Sequence, residues 1–159
     1  MNLYIRQRFS FRDRFAIQDE TGLVRYCVEG QKGFHRRLHL YDPQERVLAR
    51  LEQTRRVWRF SYDILVGDVM VARVARGKGF RPRYEITGLD WLVEGNFGGH
   101  DYVITSGEAI IATVRWQMQG LKDNYELEVP DPANALLALC TVLSIDCILA
   151  DQAAAAAAT

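Results

Sequence analysis

Between Asp131 and Ala150 the chain runs PANALLALCTVLSIDCILA, a stretch that is apolar on every side of the helix it would form. Asp131 is a good N-cap and Pro132 a good first helical residue. A helix without a polar face has to be surrounded, by protein or by lipid. The interruptions Asn134, Thr141, Ser144 and Asp146 leave apolar runs shorter than the ~20 residues of a bilayer span. Asp146 in mid-segment would cost a further ~2.5–3.5 kcal/mol in lipid. The segment therefore reads as the interior of a protein, and the rest of the chain must supply the walls.

Those walls are strands. Residues 1–129 are a series of short alternating segments separated by turn residues: 3–7, 14–19, 24–30, 37–42, 47–53, 57–66, 69–75, 83–88, 91–97, 101–106, 109–117 and 124–129. Their spacing near ten residues and their Val, Ile, Tyr and Trp content point to a barrel or sandwich. Twelve strands about 4.8 Å apart and tilted by about 40° enclose a barrel on the order of 24 Å across, with room for one helix of ~10 Å. The expected fold class is all-β with one helix: a closed antiparallel barrel of about 12 strands around a central apolar C-terminal helix. Residues 1–150 are expected to form one domain, and the Ala-rich tail, 151–159, to fray.

The chain also reads as duplicated. Tyr26-Cys27-Val28-Glu29-Gly30 aligns with Trp91-Leu92-Val93-Glu94-Gly95, and Gly33 and His35 align with Gly98 and His100. Two related half-barrels are expected, with the shared glycines at turns or bulges that need positive φ. Cys27, Cys140 and Cys147 form no CxxC pair and read as reduced thiols of a cytoplasmic protein. The N-terminal MNLYIRQRFSFRDRF has no apolar core of a signal peptide.

Charge is the most usable functional signal. The net charge is zero, yet residues 1–83 sum to +9 and residues 84–159 to −9. The densest cluster is Arg73, Arg76, Lys78, Arg81 and Arg83, with Gly77 and Gly79 letting the backbone approach an anion and Phe80 available to enter an interface. Arg55, Arg56 and Arg59 form a second group, and Arg36 and Arg37 a third. The competing explanation is that these charges guard strand edges or pair with the acidic half. Tyr4, Phe9, Phe11 and Phe15 interleave with Arg6, Arg8, Arg12 and Arg14 in a pattern that suits single-stranded nucleic acid. It suits a strand with one buried face better. His35 and His39, four apart on one strand, are roughly 13 Å apart and cannot share a metal ion. No GxSxG, GxxxxGK[ST] or HExxH motif is present. Asp146 within the apolar helix is expected either to bond Thr or backbone groups at the barrel mouth or to be protonated.

In combination, LYIRQRFSFRDRFAIQDETG at 3–22, RYCVEG at 25–30, RPRYEITGLDWLVEGNFGGHDYVI at 81–104 and YELEVPDPANALLALCTVLSIDCI at 125–148 resemble the LURP-one-related family, in particular its bacterial members. Through it the chain resembles the tubby C-terminal-like fold shared with phospholipid scramblases. The resemblance spans nearly the whole chain and implies a twelve-stranded barrel around a C-terminal helix. Tubby domains bind phosphoinositide headgroups on a basic surface, and scramblases act on membranes with calcium. This chain carries neither a Pro-rich stretch before its first strand nor a cysteine cluster, and it has no D-x-[DN]-x-[DN]-G loop. The expectation is a non-enzymatic domain at the cytoplasmic face of a membrane, binding anionic phospholipid headgroups or another phosphorylated ligand through Arg73, Arg76, Lys78, Arg81, Arg83, Arg55 and Arg56. It needs no cofactor, no metal and no nucleic acid. The alternative is a protein-interaction or self-associating domain that uses opposed basic and acidic halves.

Overall fold

The computed structural model describes residues 1–6, 12–54, 60–119 and 122–158. Twelve strands form one sheet: β1 (Asn2–Arg6), β2 (Arg14–Asp19), β3 (Val24–Gln31), β4 (Arg37–Tyr41), β5 (Val47–Gln53), β6 (Ser61–Val66), β7 (Val69–Arg76), β8 (Tyr84–Thr87), β9 (Leu92–Asn96), β10 (Asp101–Ser106), β11 (Ala109–Gln119) and β12 (Lys122–Glu128). Their order is β8-β7-β6-β5-β4-β3-β2-β1-β12-β11-β10-β9, and every neighbouring pair is antiparallel.

Alternation decides which side chains point inward. In β4, Leu38 and Leu40 are buried while Arg37 is exposed and His39 and Tyr41 are half-buried. The register sets Leu38 opposite Gly30 and Leu51, and Leu40 opposite Val28 and Ala49, so inner residues meet inner residues across three strands. Register shifts interrupt the β2–β3, β4–β5, β6–β7 and β10–β11 ladders near their turns, and such bulges sharpen the twist that lets a sheet curl.

The barrel is nearly closed rather than closed. β8 and β9 end the hydrogen-bonded order, and among the described residues no ladder joins them. Aromatic packing covers the seam instead. Tyr84 of β8 stands edge-on to Phe97 at 4.7 Å between ring centres, and Phe97 meets Tyr102 of β10 at 5.1 Å.

After β12, Asp131 accepts the Ala133 N–H at 3.0 Å and starts a 3-10 turn, Pro132–Asn134, that leads into α1, Ala135–Ala157. Residues 138–145 are buried without a break, which covers more than two full turns, so no face of this stretch reaches solvent. Ala49, Ala72 and Ala112 on the inner wall are small enough to let it in. Thr141 and Ser144 donate their hydroxyls to the carbonyls of Leu137 and Cys140, which removes the cost of burying them. The span Pro132–Ala157 is long and apolar enough to cross a bilayer, yet its middle fills the barrel. The helix continues through Ala157, so the Ala-rich tail prolongs it, in keeping with alanine's high helix propensity.

Of the glycines expected at positive φ, Gly33 (152°) and Gly95 (138°) have it, whereas Gly30 and Gly98 do not. Tyr4 and Phe15 are half-buried, and Phe9 and Phe11 lie outside the described residues.

Candidate functional site

Strict antiparallel order has a geometric result. All odd strands run one way and all even strands the other, so connections after odd strands gather at one rim of the barrel and those after even strands at the opposite rim. At the first rim the described parts of the connections include Arg12, Lys32, Arg36, Lys78, Arg81 and Arg83, against the single carboxylate Asp13. At the other rim the turns hold Glu20, Asp42, Glu45, Asp68, Asp90, Glu108 and Asp131, against Arg46 alone among the described residues. The two rims therefore differ in charge, an axial polarity of the barrel that is distinct from the asymmetry along the chain, since Glu20, Asp42, Glu45 and Asp68 of the acidic rim belong to the basic half, 1–83.

The expected basic residues have different fates. Arg73, on β7, donates Nε to Asp63 of β6 at 2.6 Å and is spent in that cross-strand pair. Arg76 donates Nη1 to the carbonyls of Gly77, Arg81 and Arg83 at 2.8, 3.2 and 3.4 Å, so it braces the 77–83 loop from within. Arg83 is exposed and reaches Glu85 at 3.4 Å. The side chains of Lys78 and Arg81 are exposed and, among the described residues, have no ion-pair or hydrogen-bond partner. Phe80 stands fully exposed between them. Arg55, Arg56 and Arg59 lie outside the described residues.

A second loop on the same rim repeats this design. Lys32-Gly33-Phe34 follows β3 as Lys78-Gly79-Phe80 follows β7. Gly33 and Gly79 both take positive φ, 152° and 108°, and Phe34 is as fully exposed as Phe80. Arg37 braces this loop by donating to the Lys32 carbonyl at 2.8 Å. An open groove lined by Arg12, Gln31 and Lys32 lies alongside. Lys32 and Phe34 are absent from the sequence-derived site, although the repeated triplet KGF was there to be found. Along the rim the two loops are separated by four inter-strand spacings, roughly 25 Å.

The helix is anchored beneath this rim through two carboxylates. Asp151 Oδ1 accepts from Arg36 Nη2 at 2.9 Å and Nε at 3.1 Å, and its Oδ2 accepts from Gln53 at 3.0 Å and from Tyr62 of β6. Asp146, deeper in the barrel, faces His100 Nε2 at 3.0 Å and accepts from Tyr125 of β12. His100 stacks on Tyr125 with 4.2 Å between ring centres and takes a φ of 50°. The two sockets are built alike, each with a tyrosine from a strand and a basic side chain from the rim. The partners of Asp146 are thus the side chains of His100 and Tyr125, and not the expected Thr or backbone groups.

Burial pushes the Tyr84 hydroxyl up to about 12. Burial, then the nearby Asp146 carboxylate, holds Tyr102 and Tyr125 well above the ordinary range. Tyr62 is raised by burial first, with Cys147 and Asp151 adding to it. A tyrosine whose folded pKa exceeds its unfolded value contributes stability that is intact below about pH 10 and is lost as pH rises further. Alkaline titration is therefore expected to show no phenolate signal from these four before unfolding. Phenolate absorbance and circular dichroism should then change together above about pH 10. Full tyrosine ionisation with the circular dichroism intact would contradict this. Among the described residues no group of three His, Cys, Asp or Glu side chains is placed to hold a metal ion.

Comparison with known proteins agrees with this architecture. A family model described as LURP-one-related matches residues 1–146. An uncharacterized protein of Bacillus subtilis (strain 168), YxjI, is 26% identical over 152 residues, covering 94% of each chain. The X-ray structure of an Arabidopsis thaliana protein, AT5G01750, superposes with a TM-score of 0.62 over 91% of this chain and 90% of that one, at 19% identity.

Proposed function

Since this chain belongs to the LURP-one-related family, we propose that it is a non-enzymatic binding domain whose basic rim meets anionic phospholipid headgroups at the cytoplasmic face of a membrane. The observation that carries the reading is the pair of loops, 32–37 and 77–83, that present a fully exposed phenylalanine beside exposed cations on one rim. Fully exposed aromatic rings at the tips of two loops are costly in water and favourable at a bilayer interface, where the ring enters the headgroup region. Each cation near an anionic surface contributes about 1 kcal/mol and is screened by salt. Lys78 and Arg81 suit this role because no carboxylate among the described residues holds them. Arg73 and Arg76 do not, being engaged within the fold. The free thiols of Cys27, Cys140 and Cys147 are consistent with a reducing compartment.

Co-sedimentation with phosphatidylserine-containing vesicles tests this. Binding is expected at low salt and is expected to weaken as salt rises. Lys78→Glu with Arg81→Glu should lower affinity at least tenfold. Phe34→Ser with Phe80→Ser should lower it at unchanged charge. Soluble glycerophosphoserine should compete poorly if the surface, and not the isolated headgroup, is what is recognised; strong competition would move the reading to a small phosphorylated ligand. Absence of binding at low salt would overturn the membrane reading.

A further inference from the structure

The opposite rim has a pattern of its own. At five successive even-to-odd turns a carboxylate is followed, at or near the start of the next strand, by an aliphatic side chain that is more than half exposed. Glu20 precedes Leu23, Glu45 precedes Val47, Asp68 precedes Val69, Asp90 precedes Leu92 and Glu108 precedes Ile110. One exposed aliphatic is ordinary on any protein surface. A set of five at one end, each beside a carboxylate, makes a ring that is both acidic and apolar. Cations do reach part of it: Arg46 pairs with Asp42, Arg14 with Glu45 and Arg50 with Asp68. Asp90 and Glu108 have no cation partner among the described residues.

We propose that this acidic rim is the docking surface for the basic rim of a second copy of the chain, so that copies stack head to tail along the barrel axis. Three features select this occupant. Charge is complementary end to end, whereas two acidic rims or two basic rims facing each other would repel. The apolar features are complementary too, because exposed Phe34 and Phe80 project from one end and the aliphatic ring covers the other. The cross-sections match, both rims belonging to the same barrel. A twelve-stranded barrel is about 30 Å across with its side chains, giving a disc on the order of 700 Å². That is close to the ~800 Å² per partner of a standard interface. Stacking also brings the C-terminal end of one α1 toward the Asp131-capped start of the next, the attractive order of helix dipoles. A contact of this kind is heterologous, so each added copy leaves one rim of each sort free. A copy whose basic rim rests on a membrane would still offer its acidic rim outward.

Sedimentation velocity across a range of protein concentrations, without lipid, is the test. The sedimentation coefficient of the wild type is expected to rise with concentration at low salt and to fall back as salt is added. Asp90→Lys with Glu108→Lys reverses two unpaired charges on the acidic rim, and Lys78→Ser with Arg81→Ser removes two unpaired charges from the basic one. All four positions are exposed, and circular dichroism verifies that the barrel is intact. Each double variant alone is expected to associate at least tenfold more weakly than wild type. Mixed in equal amounts, they should form a heterodimer and nothing larger, since the mixture holds one usable rim of each kind per pair. A wild type that stays monomeric at the highest concentration overturns the proposal, as does a variant that associates alone as well as wild type does. A mixture without heterodimer does so too. The membrane reading is judged separately. The Asp90→Lys, Glu108→Lys variant keeps its basic rim, so its vesicle binding should equal or exceed that of wild type whether or not stacking occurs.

Discussion

Replacing Asp146 with alanine is expected to destabilise the protein by about 2–5 kcal/mol, because two buried hydrogen-bonding partners, His100 and Tyr125, are each left unpaired at a cost of about 1–3 kcal/mol. Asp146 and His100 are 10% and 8% exposed at their side chains, so water cannot replace the lost partner. The Tyr125 hydroxyl would be orphaned with His100, and His100 Nδ1 is already without a hydrogen bond among the described residues. Asp146→Asn keeps an acceptor for Tyr125 and should cost less than half as much. Urea denaturation of both variants measures the difference. A loss below about 1 kcal/mol for Asp146→Ala, in the range of an exposed pair, would mean that the helix is not held by this carboxylate.

Gly95→Ala is expected to lose about 3 kcal/mol or more, from backbone strain at positive φ together with overpacking. Its φ is 138°, and a Cβ there would lie 2.5 Å from the Asp101 carbonyl oxygen and 2.6 Å from Tyr102 Cα. Both are main-chain atoms of β10, and Tyr102 is the residue paired with Gly95, so relief requires breaking the β9–β10 ladder beside the seam. For a chain of this size the loss corresponds to a fall in Tm of about 6–12 °C. Gly107→Ala is the control. Its φ is also positive, at 58°, but nothing lies within 4 Å of the added carbon. It should cost about 1 kcal/mol, the left-handed conformation alone. Equal effects at the two sites would rule out the close contact as the cause.

How far the fold can be read from the residues depends on the range of the interactions involved. Strands such as Arg37–Tyr41 declare themselves because a half-buried strand must alternate, and α1 does so because nothing but a surrounding wall suits a helix apolar on all sides. The open seam does not declare itself. Whether β8 and β9 join is a matter of curvature summed over the sheet, which no local pattern encodes. The basic cluster is legible as a run of charge, but its division into engaged and free members is not. The carboxylate that takes Arg73 lies ten residues away across a bulged hairpin, and the acceptors of Arg76 are main-chain carbonyls that leave no trace in sequence. The partners of Asp146 lie 46 and 21 residues from it. The axial polarity needed only the parity of the strands once their order was known.

The helix that fills the barrel follows all twelve strands in the chain, and β1 pairs with β12, with Asn2 opposite Glu128. During synthesis every wall is therefore made before there is anything to enclose, and the first strand waits for its second neighbour until the sheet has been translated. In that interval the ribosome carries a run of strands whose inner faces are apolar and uncovered, the kind of surface on which nascent chains aggregate. Contacts so distant in sequence also form slowly. The inner faces of the strands stay uncovered until α1 has been made.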